Sequence, residues 1–165
     1  MTRWLDPEEQ AAWLTLLSAH ASLIAVLDRE LREEHGLALA DYEVLALVSE
    51  SPEGHLPMSV LAQRLLISPS ALTRRVDRLV QRGLVVRQAC AGDARVSHAA
   101  LSAQGRRRLE AAAPTHVRGV REHLVDRLSP EQLAALTDAL GAVTGAAAAS
   151  PAPAGGRAPK AQPEA

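Results

Sequence analysis

Residues 68–82 read SPSALTRRVDRLVQR, and the rest of the chain is organised around them. Ser68 has the side chain of a helix N-cap, because its hydroxyl can accept a backbone N–H left unpaired in the first turn. Pro69 follows at the first helical position, where a missing N–H costs nothing. Gly83 stands just past the end, where a left-handed residue commonly closes a helix. Leu72, Val76 and Leu79 fall at i, i+4 and i+7 and form one buried stripe. The other faces carry Ser70, Thr73, Arg74, Arg75 and Arg78. Hydroxyls and guanidiniums on the open side of a short, capped helix suit the major groove of duplex DNA. Arg bonds guanine bidentately or clamps phosphates, and Ser and Thr suit phosphates. A solvated basic face on an ordinary helix has the same composition, so the neighbouring segments decide the reading.

Upstream, residues 58–66 form a short helix with Val60, Leu61, Ala62 and Leu65 apolar, and only Ile67 separates it from Ser68. Two short helices joined by a tight turn, the second one basic, make a helix-turn-helix. Past Gly83 the period changes. Residues 84–87 read as a strand, residues 90–94 (CAGDA) as a turn around Gly92, and residues 95–101 as a returning strand. A hairpin directly after a recognition helix is a wing. Arg95 on it suits the minor groove, whose negative potential attracts guanidinium, and Asp93 is placed to brace Arg95 or the turn.

The flanks are helical. Asp6, Pro7 and Glu9 supply an N-cap, a first-turn proline and a capping-box acid. From there Trp13, Leu16, Leu17, Leu23, Ile24, Leu27 and Leu31 recur at helical spacing, to an end near Gly36, with Trp4 placed to pack on the first turn. Residues 39–51 form a second helix, stopped at Pro52. Ser102 caps a long helix in which Leu109, Ala113, Val117, Val120, Leu124 and Leu128 continue an apolar stripe and Pro114 predicts a kink. Arg106, Arg107 and Arg108 lie in its first turn, where cations oppose the helix dipole, so a phosphate or an acidic surface is a candidate partner. Ser129, Pro130 and Gln132 open a last helix. From Gly145 the composition turns to Ala, Pro and Gly without periodicity, which reads as a disordered tail.

The chain has 165 residues, 47% of them apolar, yet only 2% aromatic and no Phe, so Leu, Val and Ala must pack the core. Its net charge is −1, but the charge is segregated. Residues 1–63 hold three basic and eleven acidic side chains, residues 64–95 hold seven and two, and residues 96–165 hold eight and six. The positive charge collects around the basic helix, as a local nucleic-acid footprint does. A single cysteine, Cys90, excludes an internal disulfide and a Cys-rich zinc site. No apolar run reads as long enough for a membrane span and the N-terminus is too acidic for a signal peptide, so a cytoplasmic protein with no membrane partner is expected.

In this order the segments resemble the MarR (multiple antibiotic resistance regulator) family of bacterial winged-helix transcription factors. The likeness runs from about Asp6 to Ala147. It is carried by Tyr42-Glu43-Val44-Leu45, Leu61-Ala62, Ser70, Leu72-Thr73-Arg74, Val76-Asp77-Arg78-Leu79, Gly83-Leu84-Val85, Asp93-Ala94-Arg95 and Leu101-Ser102-Ala103-Gln104-Gly105. The expected fold is mainly α with a small β-hairpin wing. Residues 1–36 form an N-terminal dimerisation helix, 37–101 a winged helix-turn-helix, 102–147 C-terminal dimerisation helices and 148–165 the tail. The resemblance implies a homodimer with interleaved terminal helices, whose apolar stripes are also too extensive for one small core to cover. It implies a repressor on a pseudo-palindromic operator in double-stranded DNA, with Arg95 in the minor groove. The candidate DNA contacts are Ser68, Ser70, Thr73, Arg74, Arg75, Arg78, Asp93 and Arg95.

The resemblance also implies a pocket for a small aromatic or anionic effector between the dimerisation helices and the winged helix. Trp13, His20 and Tyr42 are candidates to line it, because each has a flat apolar body and a polar edge. Family members that sense oxidants usually carry the cysteine near the N-terminus. Cys90 departs from that pattern, and a redox role for it is an alternative. A winged-helix protein-interaction module without an operator is the other alternative. No enzyme, cofactor or metal site is expected: His116 and His123 share a helix face seven residues apart, but no H-E-x-x-H or cysteine cluster accompanies them.

Overall fold

The computed structural model describes residues 2–90 and 93–145, with the side chains of residues 89–96 outside that description. Asp6 opens α1 (Pro7–His35) through a complete capping box: its carboxylate accepts from the Glu8 and Glu9 amides, and Glu9 accepts from the Asp6 amide. Gly36, at φ 56°, closes the helix in the left-handed region. Trp4 does not pack on the first turn; it is 86% exposed. The chain then runs through α2 (Leu39–Ser49), β1 (His55–Pro57), α3 (Met58–Arg64), α4 (Pro69–Gln81), β2 (Val85–Cys90), β3 (Asp93–Leu101), α5 (Ala103–His123), a 3₁₀ turn (Val125–Arg127) and α6 (Pro130–Thr144). The three strands form one antiparallel sheet in the order β1-β3-β2. Pro114 lies inside α5, which runs through it as one helix. The apolar stripe expected to reach Leu128 stops with α5 at His123, because the 3₁₀ turn breaks the helical register.

The core is aliphatic. Leu31, Leu37, Leu45, Leu61, Leu72 and Leu79 are its largest fully buried side chains, supported by Val44, Val48, Val76 and Val85. It lies between α2, the helix-turn-helix and the sheet, and only the last turns of α1 reach it, through Leu27 and Leu31. The first five turns of α1 contribute no buried residue, and α6 contributes none. Trp13, Leu14, Leu16, Leu17 and Ile24 of α1 and Leu140 and Val143 of α6 are all exposed. An amphipathic helix is stabilised mostly by burying its apolar face, so these faces are unpartnered within one chain.

One of the sequence readings changes here and another is not reached. An 18-residue window of α1 has a mean hydropathy of 1.5, so by length and composition this helix is long and apolar enough to cross a bilayer. Thr15, Ser18, His20 and Ser22 interrupt the apolar run without adding a full charge, which is why the segment does not read as a span. The stretch from residue 148 read as a disordered tail lies outside the described residues.

The junction between wing and α5 is fixed by a close approach. A Cβ on Gly105 would meet the Leu84 carbonyl oxygen at 1.9 Å, and the Ser102 amide donates to that same oxygen at 3.1 Å. Ser102 caps α5 at the Gly105 amide and donates its hydroxyl to the Gly83 carbonyl at 2.6 Å. Gly105→Ala must therefore push α5 off the sheet. It is expected to cost on the order of 1–3 kcal/mol, as overpacking does. Urea unfolding of the variant is the measurement, and an unchanged midpoint would contradict the contact.

Candidate nucleic-acid interface

α3 and α4 are joined by Leu65, Leu66 and Ile67, with Leu66 in the left-handed region at φ 52°. α4 then starts on the Ser68 hydroxyl, which accepts from the Ala71 amide at 3.2 Å and lies 3.2 Å from the Ser70 hydroxyl. Leu72, Val76 and Leu79 are buried as their spacing requires. Ser70, Thr73, Arg74 and Arg78 are exposed on the other side, the first three in the half of α4 nearest the cap and Arg78 in its last turn.

The remaining cations of this segment hold the fold together. Arg75 is half-buried, and its guanidinium donates to the Ala40 carbonyl at the start of α2 at 3.3 Å. Burial raises the Glu43 carboxyl above its usual range, and the nearby Arg75 opposes that shift. Arg82 donates to the Asp41 carboxylate at 3.1 Å and to the Gly36 carbonyl at 3.0 Å, fastening the end of α4 to the α1–α2 corner. Arg87 of β2 donates to Asp77 of α4 at 2.7 Å. Of the α4 arginines, Arg74 and Arg78 thus point away from the core, while Arg75 is turned inward. Sequence reasoning misses Leu66, which is 92% exposed at the helix-turn-helix corner. Leu66 is not on the apolar side read for residues 58–66, and nothing in the sequence marks its left-handed backbone.

The wing is present as the β2–β3 hairpin, with a register shift between Ala89 and Cys90 and Cys90 opposite Asp93. The side chains of Cys90, Asp93 and Arg95 lie outside the described residues. The candidate effector residues do not meet in one chain. Trp13 is 52% exposed and His20 is exposed, both on the unburied part of α1. Tyr42 is buried and tilts against His116 of α5 at a ring-centroid distance of 4.6 Å. Burial pushes the Tyr42 hydroxyl up to about 12, with Glu50 adding to the shift.

The two histidines of the shared α5 face have separate neighbours. His116 tilts against Tyr42, and its buried Nδ1 has no hydrogen-bond partner among the described residues. His123 meets Glu30 of α1 at 2.7 Å. Among the described residues, no group of three or more His, Cys, Asp or Glu side chains gathers as a metal site would require.

A tight two-helix unit with a polar face on its second helix, followed by an antiparallel hairpin, defines a winged helix-turn-helix protein. Residues 35–96 match the MarR family. Among solved structures, AbsC, a MarR family regulator from Streptomyces coelicolor, is 38% identical, with 88% of this chain and 97% of that one covered and a TM-score of 0.82. Sco3205, a MarR family regulator from the same organism solved in complex with DNA, is 35% identical over 93% of this chain and 97% of its own, at a TM-score of 0.84. The HTH-type transcriptional regulator MhqR of Bacillus subtilis (strain 168) is 27% identical over 128 residues, 78% of this chain and 86% of that protein. The chain belongs to the MarR family of transcriptional regulators.

Burial lowers the affinity of His116 for a proton. The unfolded chain then takes up that proton at a higher pH than the folded one. Stability is therefore unaffected by this group well above its ordinary value of 6.5, and falls as pH drops below it, until the folded-state value is passed. Urea unfolding between pH 8 and pH 5 is expected to show a smaller loss in His116→Phe, which keeps a ring against Tyr42, than in the parent. Equal losses would contradict the buried, neutral imidazole.

Proposed function

We propose that this protein is a homodimeric transcriptional repressor that places α4 of each subunit in successive major grooves of a pseudo-palindromic operator. The observation that carries the reading is the exposed face of α4, with Ser70, Thr73 and Arg74 in its capped N-terminal half and Arg78 in its last turn all pointing away from the core. Recognition helices read base edges from this end. The DNA complex of Sco3205, 35% identical, supports the same use of the fold. Ser68 contributes as the cap that fixes this end, and Asp93 and Arg95 belong to the wing, with Arg95 proposed for the minor groove. Arg75 acts through the α2 contact rather than on DNA. Leu66, exposed at the corner, suits an apolar contact such as a thymine methyl.

The proposed partner is a second copy of the chain, seated on the unburied faces of α1 and α6. On this division residues 1–36 and the helices from 102 onward form the dimer, and residues 37–101 the DNA-binding unit. A second copy is also the proposed cover for the bilayer-length apolar stretch of α1, in place of lipid. An effector acts in such a dimer by binding one spacing of the recognition helices better than another. Tyr42 lies at the α2–α5 junction against His116, and Trp13 and His20 on the face given to the partner.

Gel-shift titration with the DNA upstream of its own gene tests the proposal. Arg74→Ala and Arg95→Ala are each expected to weaken binding by about 1–3 kcal/mol if they read bases, and evenly across sequences if they touch only phosphates. Parental affinity in both variants would remove the winged-helix contact scheme. A monomeric mass in sedimentation at micromolar protein would remove the dimer.

A further inference from the structure

The end of α4, the start of β2 and the first turns of α5 enclose an open cleft of about 520 Å³ lined by Arg82, Leu84, Gln104, Arg107, Arg108 and Ala111. Three of its six lining residues are arginines and none is acidic. Two of the guanidiniums converge on Gly36: Arg82 donates to its carbonyl at 3.0 Å, and Nη2 of Arg108 lies 3.5 Å from the position of a Cβ on that residue. Arg82 is partly neutralised by Asp41 at 3.1 Å. Among the described residues no acidic side chain pairs with Arg106, Arg107 or Arg108, although ion pairs are made by Arg32, Arg87, Arg118 and Arg121. These cations also sit at the positive end of the α5 dipole, which disfavours them. The cleft therefore concentrates positive charge that, among the described residues, only Asp41 offsets, through Arg82.

We propose that this cleft is a binding site for a small phosphate-bearing anion of two or more charges, such as a diphosphate group. Guanidinium presents planar, paired donors that match phosphate oxygens, and Arg82 uses only two of its five N–H groups on Asp41 and Gly36. Arg107 and Arg108 are exposed and free to turn toward a guest, and the Gln104 amide adds a neutral donor. DNA is the less fitting occupant. Ser70, Thr73 and Arg74 lie toward the other end of α4, Ser70 being twelve positions or roughly 18 Å from Arg82 at the helical rise, and only Arg78 of the proposed DNA-facing residues is within one turn of the cleft. A bound anion spans α4, the α1–α2 corner through Arg82, and α5.

Titration calorimetry of the full chain with sodium pyrophosphate, without DNA and at ionic strength held constant with sodium chloride, tests the site independently of any operator. One saturable site per chain is expected, and Arg107→Gln combined with Arg108→Gln is expected to weaken it by roughly tenfold or more, the scale of a lost charge-assisted contact. Circular dichroism and ligand-free thermal unfolding of the variant should match the parent, because both side chains are exposed. No saturation by about 10 mM, or parental affinity in the double variant, overturns the proposal. So does a third result: no pyrophosphate binding by the parent, with the variant losing DNA affinity and about one unit of salt slope per phosphate contact, which assigns the arginines to the DNA backbone.

Discussion

The arrangement depends on the contact between the last turns of α1 and the middle of α5. Gly119 lets the two helices approach closely: a Cβ there would lie 2.6 Å from the Leu27 methyl and 2.6 Å from a Glu30 carboxylate oxygen, so both side chains would have to shift. Around that close approach the two helices exchange polar contacts. Glu34 accepts from Thr115 at 2.8 Å and from Arg118, His35 meets Thr115 at 2.9 Å, and Glu30 meets His123 at 2.7 Å. Rising numbers on α5 face falling numbers on α1, so the helices run antiparallel. A part-buried polar network with defined partners favours one relative position where apolar packing alone tolerates several. The free part of α1 is aimed by this joint, and with it the face proposed for the second subunit.

From the same joint the constraint passes to the DNA-binding unit through short, specific ties. Arg82 links α4 to Asp41 and Gly36, Arg75 links it to Ala40, and Ser102 and Gly105 hold α5 on the Leu84 backbone. These arginine and backbone-carbonyl ties act beside the burial of Leu72, Val76 and Leu79 in orienting α4. This suits a chain with three aromatic residues in total, two of them exposed tryptophans. It also places the arginine-lined cleft against one of these ties.

Much of this is legible in the sequence because the signals are local. Capping boxes at Asp6 and Ser129, the cap at Ser68 and the stop at Gly36 all occur where the residue chemistry puts them. The stripe Leu72, Val76, Leu79 is buried, and the period change after Gly83 does begin a hairpin. What escapes the sequence depends on through-space partners. Arg74 and Arg75 are adjacent and chemically identical, yet one is exposed and the other reaches Ala40, 35 positions away. Tyr42 resembles Trp13 and His20 in having a flat body and a polar edge, but it lies in the core against His116 while they do not. Gly105 is one letter of a local pattern, and the reason for it is the Leu84 carbonyl, which belongs to another part of the fold.

The central claim is that two copies of this winged helix-turn-helix read one two-fold symmetric DNA site. Selection of bound duplexes from a random-sequence pool by the full chain tests it without assuming any operator sequence. The account predicts enrichment of an inverted repeat whose half-sites are centred roughly 10 bp apart, one helical turn. Enrichment of a single unrepeated element, or no enrichment over the starting pool, would contradict it.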